Sequence, residues 1–137
     1  MVILKTTEEI EKLRVSNLIV AEILKELQEK VAIGVTTREL EGHCLQLCRK
    51  RRVKPAFKGY RGYPFALCTS INGVVVHGMP SDRALKAGDI LSLDFGVNYR
   101  GYFGDAAVTV PVGSVSAGAQ RLMQVTEEGL YAAIEQA

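Results

Sequence analysis

Two aspartates, Asp94 and Asp105, are the residues of this sequence best placed to share a chemical task. They lie on two strand-like runs, 90–97 and 102–110, joined by Asn98-Tyr99-Arg100-Gly101, a link short enough for a hairpin. With the turn centred between Tyr99 and Arg100, Asp94 faces Asp105 directly, their Cβ atoms roughly 4.5–5.5 Å apart on one face. Two like charges that close destabilise each other unless a proton or a cation sits between them. Such a pair suits two divalent metals, which in hydrolases sit roughly 3.5–4 Å apart. The competing reading is two exposed residues on an edge hairpin. A bulge at Gly101 or Gly104 would also send the carboxylates to opposite faces. The rest of that face (Ile90, Ser92, Gly96, Phe103, Ala107, Thr109) is mostly small or polar, whereas Leu91, Leu93, Phe95, Val97, Val108 and Val110 point towards a core.

The elements that must hold this pair are signalled upstream and downstream. Thr6-Thr7-Glu8-Glu9 reads as a capping box opening a helix, with apolar residues at Ile10, Leu13, Val20, Leu24, Leu27 and Val31 and Asn17 interrupting the stripe. Gly34 is placed to end that helix in a left-handed turn. Thr36-Thr37-Arg38-Glu39 opens a second, shorter helix carrying Leu40, Cys44, Leu47 and Cys48 on one side and running out near Arg52. Asn72-Gly73 is the strongest short hairpin signal, and a two-residue type I′ turn there sets Cys68 opposite His77. Beyond Ser116 the chain is helical again, with Leu122, Val125, Leu130 and Ile134 spaced for burial. The order helix, helix, hairpin, hairpin, helix predicts one α+β domain over 1–137. Its antiparallel sheet of two hairpins is covered by helices on one face. The last helix reaches Ala137 without a capping signal and leaves prepared apolar faces uncovered. The expectation is a unit that belongs to a larger fold or needs a partner.

Further residues could carry chemistry. His77 precedes Gly78-Met79-Pro80, where a strand gives way to a loop and a side chain can face a cleft. A cysteine–histidine nucleophile is disfavoured, because Cys68 sits mid-strand with no helix N-terminus to lower its pKa. Cys68 reads better as the wall of a pocket. In the run 57–64, Phe57, Tyr60 and Tyr63 place three rings in seven glycine-punctuated residues, which can line an apolar pocket or fold back on the core. His43, Cys44 and Cys48 lack a second ligand pair at zinc-site spacing, so buried thiols are expected. Arg49, Lys50, Arg51, Arg52 and Lys54 place five cations in six residues. A solvated helix end is the default reading, and contact with RNA or a ribosome the minority one.

Composition bounds these readings. A chain of 137 residues with 47% hydrophobic and 23% charged residues is an ordinary single globular domain. The net charge of +2 does not mark nucleic acid or membrane as a general partner. No apolar run approaches the roughly 20 residues of a membrane span. The N-terminal run Met1-Val2-Ile3-Leu4-Lys5 meets charge too soon for a secretory signal. Three cysteines, an odd number, suit reduced thiols, and the expectation is a cytoplasmic protein.

Taken together, Gly59-Tyr60-Arg61-Gly62-Tyr63-Pro64, the run from Cys68 to Pro80, and Gly88-Asp89-Ile90-Leu91-Ser92-Leu93-Asp94 running on to Gly101-Tyr102-Phe103-Gly104-Asp105 closely resemble the type I methionine aminopeptidases. The resemblance spans nearly all of the chain. It implies one half of a pita-bread fold and removal of N-terminal methionine from polypeptides such as nascent chains. It implies two divalent ions (cobalt, manganese, iron or zinc), with Asp94 a ligand to one and Asp105 bridging both. His77 would hydrogen-bond the scissile amide and steady the tetrahedral intermediate, and Phe57, Tyr60, Tyr63 and Cys68 would border the methionine pocket. Two departures stand out: Gly73 where the family usually has glutamate, and Phe103 near a position often held by histidine. The family also completes its metal site with one histidine and two glutamates from a second half, so the chain reads as the N-terminal half alone. From this follow expectations of weak or absent activity in isolation and of a homodimer or association with the missing half. The alternative is a non-catalytic binding or self-association module of the same fold. A proline-specific peptidase of the same superfamily fits the tyrosine-rich and Asn-Gly-Val-Val-Val-His-Gly segments less well.

Overall fold

The computed structural model describes residues 4–137; Met1, Val2 and Ile3 of the N-terminal run lie outside them. Both capping boxes form. Thr6 opens α1 (Thr7–Gln28) and Thr36 opens α2 (Thr37–Arg51), each with its hydroxyl accepting from the third helical N–H and the glutamate answering the cap's own N–H. The buried stripe of α1 is Ser16, Val20, Ile23, Leu24 and Leu27. The helix stops at Gln28, before the predicted Gly34, whose φ of 89° instead serves a turn in which its N–H donates to Leu85 O. Leu40, Cys44 and Cys48 are buried on α2 as expected, and all three cysteines are free.

The sheet contains β1 (Lys54–Pro55), β2 (Leu67–Ile71), β3 (Ile90–Tyr99) and β4 (Tyr102–Pro111), all antiparallel. Because β4 pairs with β3 along its whole length, β1 and β2 share the other edge of β3 end to end, at 97–98 and 91–95. Leu91, Leu93, Phe95 and Val97 of β3 are fully buried against α1 and α2. The opposite face of β3 is the one that carries Asp94.

The expected α+β class with an antiparallel sheet and helices on one face is what the chain adopts, but only one of the two hairpins forms. A type I′ turn needs positive φ at both central residues. Asn72 has φ 53°, yet Gly73 is not among the positive-φ glycines. The Asn72 side chain is committed elsewhere, donating to Asp89 at 2.7 Å and accepting from Ile90 N at 2.9 Å. That pair of bonds continues the β2–β3 ladder, so β2 takes β3 as its partner and 74–79 remains irregular. Cys68 therefore opposes Asp94 rather than His77. The genuine type I′ pair is Arg100 (φ 54°) and Gly101 (φ 87°), closing β3 onto β4.

After β4, helix α3 (Ala117–Ile134) runs with no buried residue. Leu122, Val125, Leu130 and Ile134, spaced for burial in the sequence, are 44–59% exposed because no described element covers them.

α1 crosses β4 at Gly104. A Cβ there would lie 2.6 Å from the Ser16 carbonyl carbon, and Ser16 Oγ donates to Tyr102 O at 3.0 Å. Gly104→Ala should therefore destabilise the chain by about 1–3 kcal/mol through overpacking. Gly42→Ala, within α2 and facing open space, should stabilise by roughly 0.5–1 kcal/mol. Urea titration of the two variants checks both signs.

Candidate active site

Asp94 and Asp105 are brought to one face, though not face to face. With the turn at Arg100-Gly101, Asp94 opposes Ala107 and Asp105 opposes Gly96. The centre of the hairpin is one residue later than the spacing predicts. Moving a centre by one residue shifts the register by two and preserves the face, so the carboxylates become diagonal neighbours, for which roughly 7–8 Å is the typical strand spacing. No bulge intervenes in the ladder from Ile90↔Pro111 to Tyr99↔Tyr102.

The two carboxylates open into a cleft of about 510 Å³. Its walls include every residue picked out in the sequence for a site: Phe57, Tyr60, Tyr63, Cys68 and His77. The aromatic loop reaches it because the chain leaves the β3 edge after β1 and returns at β2, with Tyr60–Gly62 forming a short 3-10 turn at the excursion. Ala56 N donates to Gly96 O at 2.8 Å, and the Phe57 ring then lies over Gly96, where a Cβ would come within 2.9 Å of it. Tyr63 is anchored through its hydroxyl, which donates to Leu67 O at 3.0 Å and Gly78 O at 3.3 Å.

His77 reaches the cleft by a different route from the one its sequence setting suggests. Its φ is 58°, and the next residue is pinned against β2, with Thr69 N donating to Gly78 O at 2.7 Å and Gly78 N to Ser70 Oγ at 3.0 Å. Any Cβ at Gly78 would sit 2.2 Å from Thr69 O, so only glycine permits this approach. Residues the sequence reading missed are Arg61 and Met79, which also line the cleft, and Glu41. Glu41 is buried in α2, and its two oxygens accept from Ala66 N and Leu67 N, both at 2.9 Å, fixing the start of β2 one residue before Cys68. Its signal was an acid three residues before Cys44 on the buried stripe.

Both carboxyls of the cleft are pushed towards their neutral forms. Withdrawal from water, then the charge of Asp105, pushes the Asp94 carboxyl above the ordinary aspartate range, with His77 opposing. Partial burial pushes Asp105 up as well. The Cys68 thiol is raised, chiefly by burial, and so is a poor nucleophile, in keeping with a wall residue.

Hard carboxylate oxygens fit a divalent cation, and a cation would relieve their mutual repulsion. Among the described residues, however, no group of three or more His, Cys, Asp or Glu is arranged to hold a metal. The two aspartates alone fall short of such a group.

A carboxyl whose folded pKa is raised contributes stability below its unfolded pKa, and that contribution is lost as pH rises through the folded value. In chelator, Asp94→Asn should thus be more stable than the parent at pH 7, and this advantage should vanish by about pH 3, below the ordinary aspartate value. Urea midpoints at the two pH values test this, and an advantage that grows towards acid would contradict the burial assigned to Asp94.

Residues 11–137 match the model of metallopeptidase family M24. The chain is 48% identical to a methionine aminopeptidase of Aquifex aeolicus, over 98% of this chain and 55% of the relative. It is 41% identical to methionine aminopeptidase 1 of Bacillus subtilis, over 100% and 55%. The crystal structure of methionine aminopeptidase from Thermotoga maritima superposes with a TM-score of 0.96 at 43% identity, covering 100% of this chain and 55% of that one. The chain thus spans about half the length of the relatives it matches, and its architecture is one half of a pita-bread fold. It belongs to metallopeptidase family M24, with the N-terminal half of the methionine aminopeptidases as its counterpart.

Proposed function

We propose that this chain supplies the side-chain pocket and one side of the dinuclear metal centre of an enzyme that removes N-terminal methionine from polypeptides. The observation that carries the reading is the convergence of Asp94, Asp105, His77 and the aromatic loop on one cleft. Divalent ions, when bound, activate water and polarise the scissile carbonyl. Asp94 and Asp105 would hold these ions through their carboxylates. His77, at the rim, donates a hydrogen bond to the scissile amide and steadies the tetrahedral intermediate. Phe57, Tyr60, Tyr63 and Cys68 exclude water around an unbranched thioether, whose flexibility suits an irregular apolar slot. The three free thiols agree with a reducing compartment, the cytoplasm. A non-catalytic module of the same fold would have no use for two carboxylates and a histidine gathered in one cleft.

With only two carboxylate ligands, the chain alone should bind manganese or cobalt weakly and turn over little or no Met-Gly-type peptide. Isothermal titration and a peptide assay read both, with Asp105→Ala exposing contamination by host enzyme. Turnover near that of a complete enzyme and lost in Asp105→Ala would sink the incomplete-site reading, and faster cleavage of Xaa-Pro peptides would sink the substrate assignment. Reconstituted with a complementary half, His77→Ala should lower kcat by about 10²–10³-fold with KM little changed, as for loss of a transition-state donor.

The exposed stripe of α3 supports association, with a complementary half or with a second copy that approximates it. Light scattering should give a mass above 15.0 kDa for the chain. Leu122→Glu with Leu130→Glu should return it to the monomer. A monomer throughout, with or without metal, rules self-association out.

A further inference from the structure

A second cleft, of about 610 Å³, opens at the far end of β3, and its lining carries four cations and no carboxylate. Arg51, Arg52 and Lys54 come from the end of α2 and the start of β1, while Arg100 comes from the β3–β4 turn. Pairing of Lys54 with Asn98 is what brings these segments together. Asn98 is four residues along β3 from Asp94, about 13 Å at the usual strand rise. Arg51 is held by Glu22 and Glu26, but Arg52, Lys54 and Arg100 form no ion pair among the described residues.

The backbone marks the same place. Arg52 (φ 55°) and Arg100 (φ 54°) both stand in the left-handed region, where glycine or asparagine is at ease and a long side chain is not. Arg61 and His77, two of the other three non-glycine residues with positive φ among the described residues, line the first cleft. Strained positions of this kind gather at functional sites. The guanidinium of Arg100 also lies over the Tyr99 ring, 5.1 Å from its centroid.

We propose that this cleft binds the phosphate backbone of a single-stranded nucleic acid. Arginine forks match phosphate oxygens in pairs, and a guanidinium plane offers a surface on which an unpaired base can stack. Arg52, Lys54 and Arg100 supply the charge, and Arg51, fixed by its glutamates, forms the wall. The site lies outside the peptide cleft and does not depend on metal.

Fluorescence anisotropy of the full chain with labelled RNA and DNA oligonucleotides of one sequence tests this, in chelator. Three neutralised phosphates give a slope of log K against log salt of about −2, so affinity should fall roughly 20-fold between 50 and 200 mM salt. The variant Arg52→Asn/Lys54→Gln/Arg100→Asn should weaken binding at least tenfold at low salt and flatten the slope towards zero. Asparagine tolerates the left-handed backbone, and before Gly101 it favours the same turn, so this variant keeps the fold. Lys5→Gln/Lys86→Gln/Arg121→Gln removes equal charge outside the cleft and should bind like the parent. Absence of binding at 50 mM salt overturns the proposal, as does an equal loss in the second variant, which would mean net charge alone. Displacement by polyglutamate as effective as by unlabelled RNA would assign the cleft to an acidic protein and overturn it too.

Discussion

Everything functional in this chain depends on β3 being hydrogen-bonded on both edges. β4 occupies one edge throughout, and the other is divided between β1 and β2. The gap between those two short strands lets the chain loop out over the sheet, and that loop becomes the aromatic wall of the cleft. One face of β3 is thereby buried in leucine, phenylalanine and valine, while the other must carry whatever chemistry the fold has. A strand held on both sides has no freedom to slip, so Asp94 is placed by the whole ladder rather than by local preference.

Much of this was legible in the residues, and the reasons are specific. The capping boxes at Thr6 and Thr36 are local signals that tertiary contacts do not override, and they form as read. The common face of Asp94 and Asp105 survived an error in the turn, because a strand's side chains alternate and the error preserved parity. Where the reading failed, a distant group had intervened. Asn72-Gly73 has the composition of a hairpin turn, but Asp89 and Ile90, remote in sequence, capture the Asn72 amide. The cost of burying Asp89 is met there too, by Arg83, Lys86 N and Asn72 together. Gly34 has the left-handed backbone expected of it but uses it to meet Leu85 rather than to end α1. α3 shows the converse: its periodicity was correct, and what it would pack against is not among the described elements.

Two residues to which the sequence assigns no role, Glu41 and Gly78, stay out of the cleft lining, and each acts by placing another group. Glu41 satisfies two backbone donors that would otherwise be orphaned at the start of β2, and Gly78 lets the segment bearing His77 lie flat on that strand. Glu41 shows in the sequence only as an acid on the buried stripe of α2, because its partners lie 25 and 26 residues away.

Gly96 links the pair of carboxylates to the aromatic wall of the cleft. It faces Asp105 across the ladder, stands two residues from Asp94, and is roofed by the Phe57 ring. A larger residue there would lift the ring and crowd the space between the carboxylates in one stroke. The breadth of the cleft and the room between the acids are therefore a single inherited quantity. Tyr60 and Arg61 stand exposed on the outer loop of the same cleft, where a side chain can change without disturbing the sheet beneath.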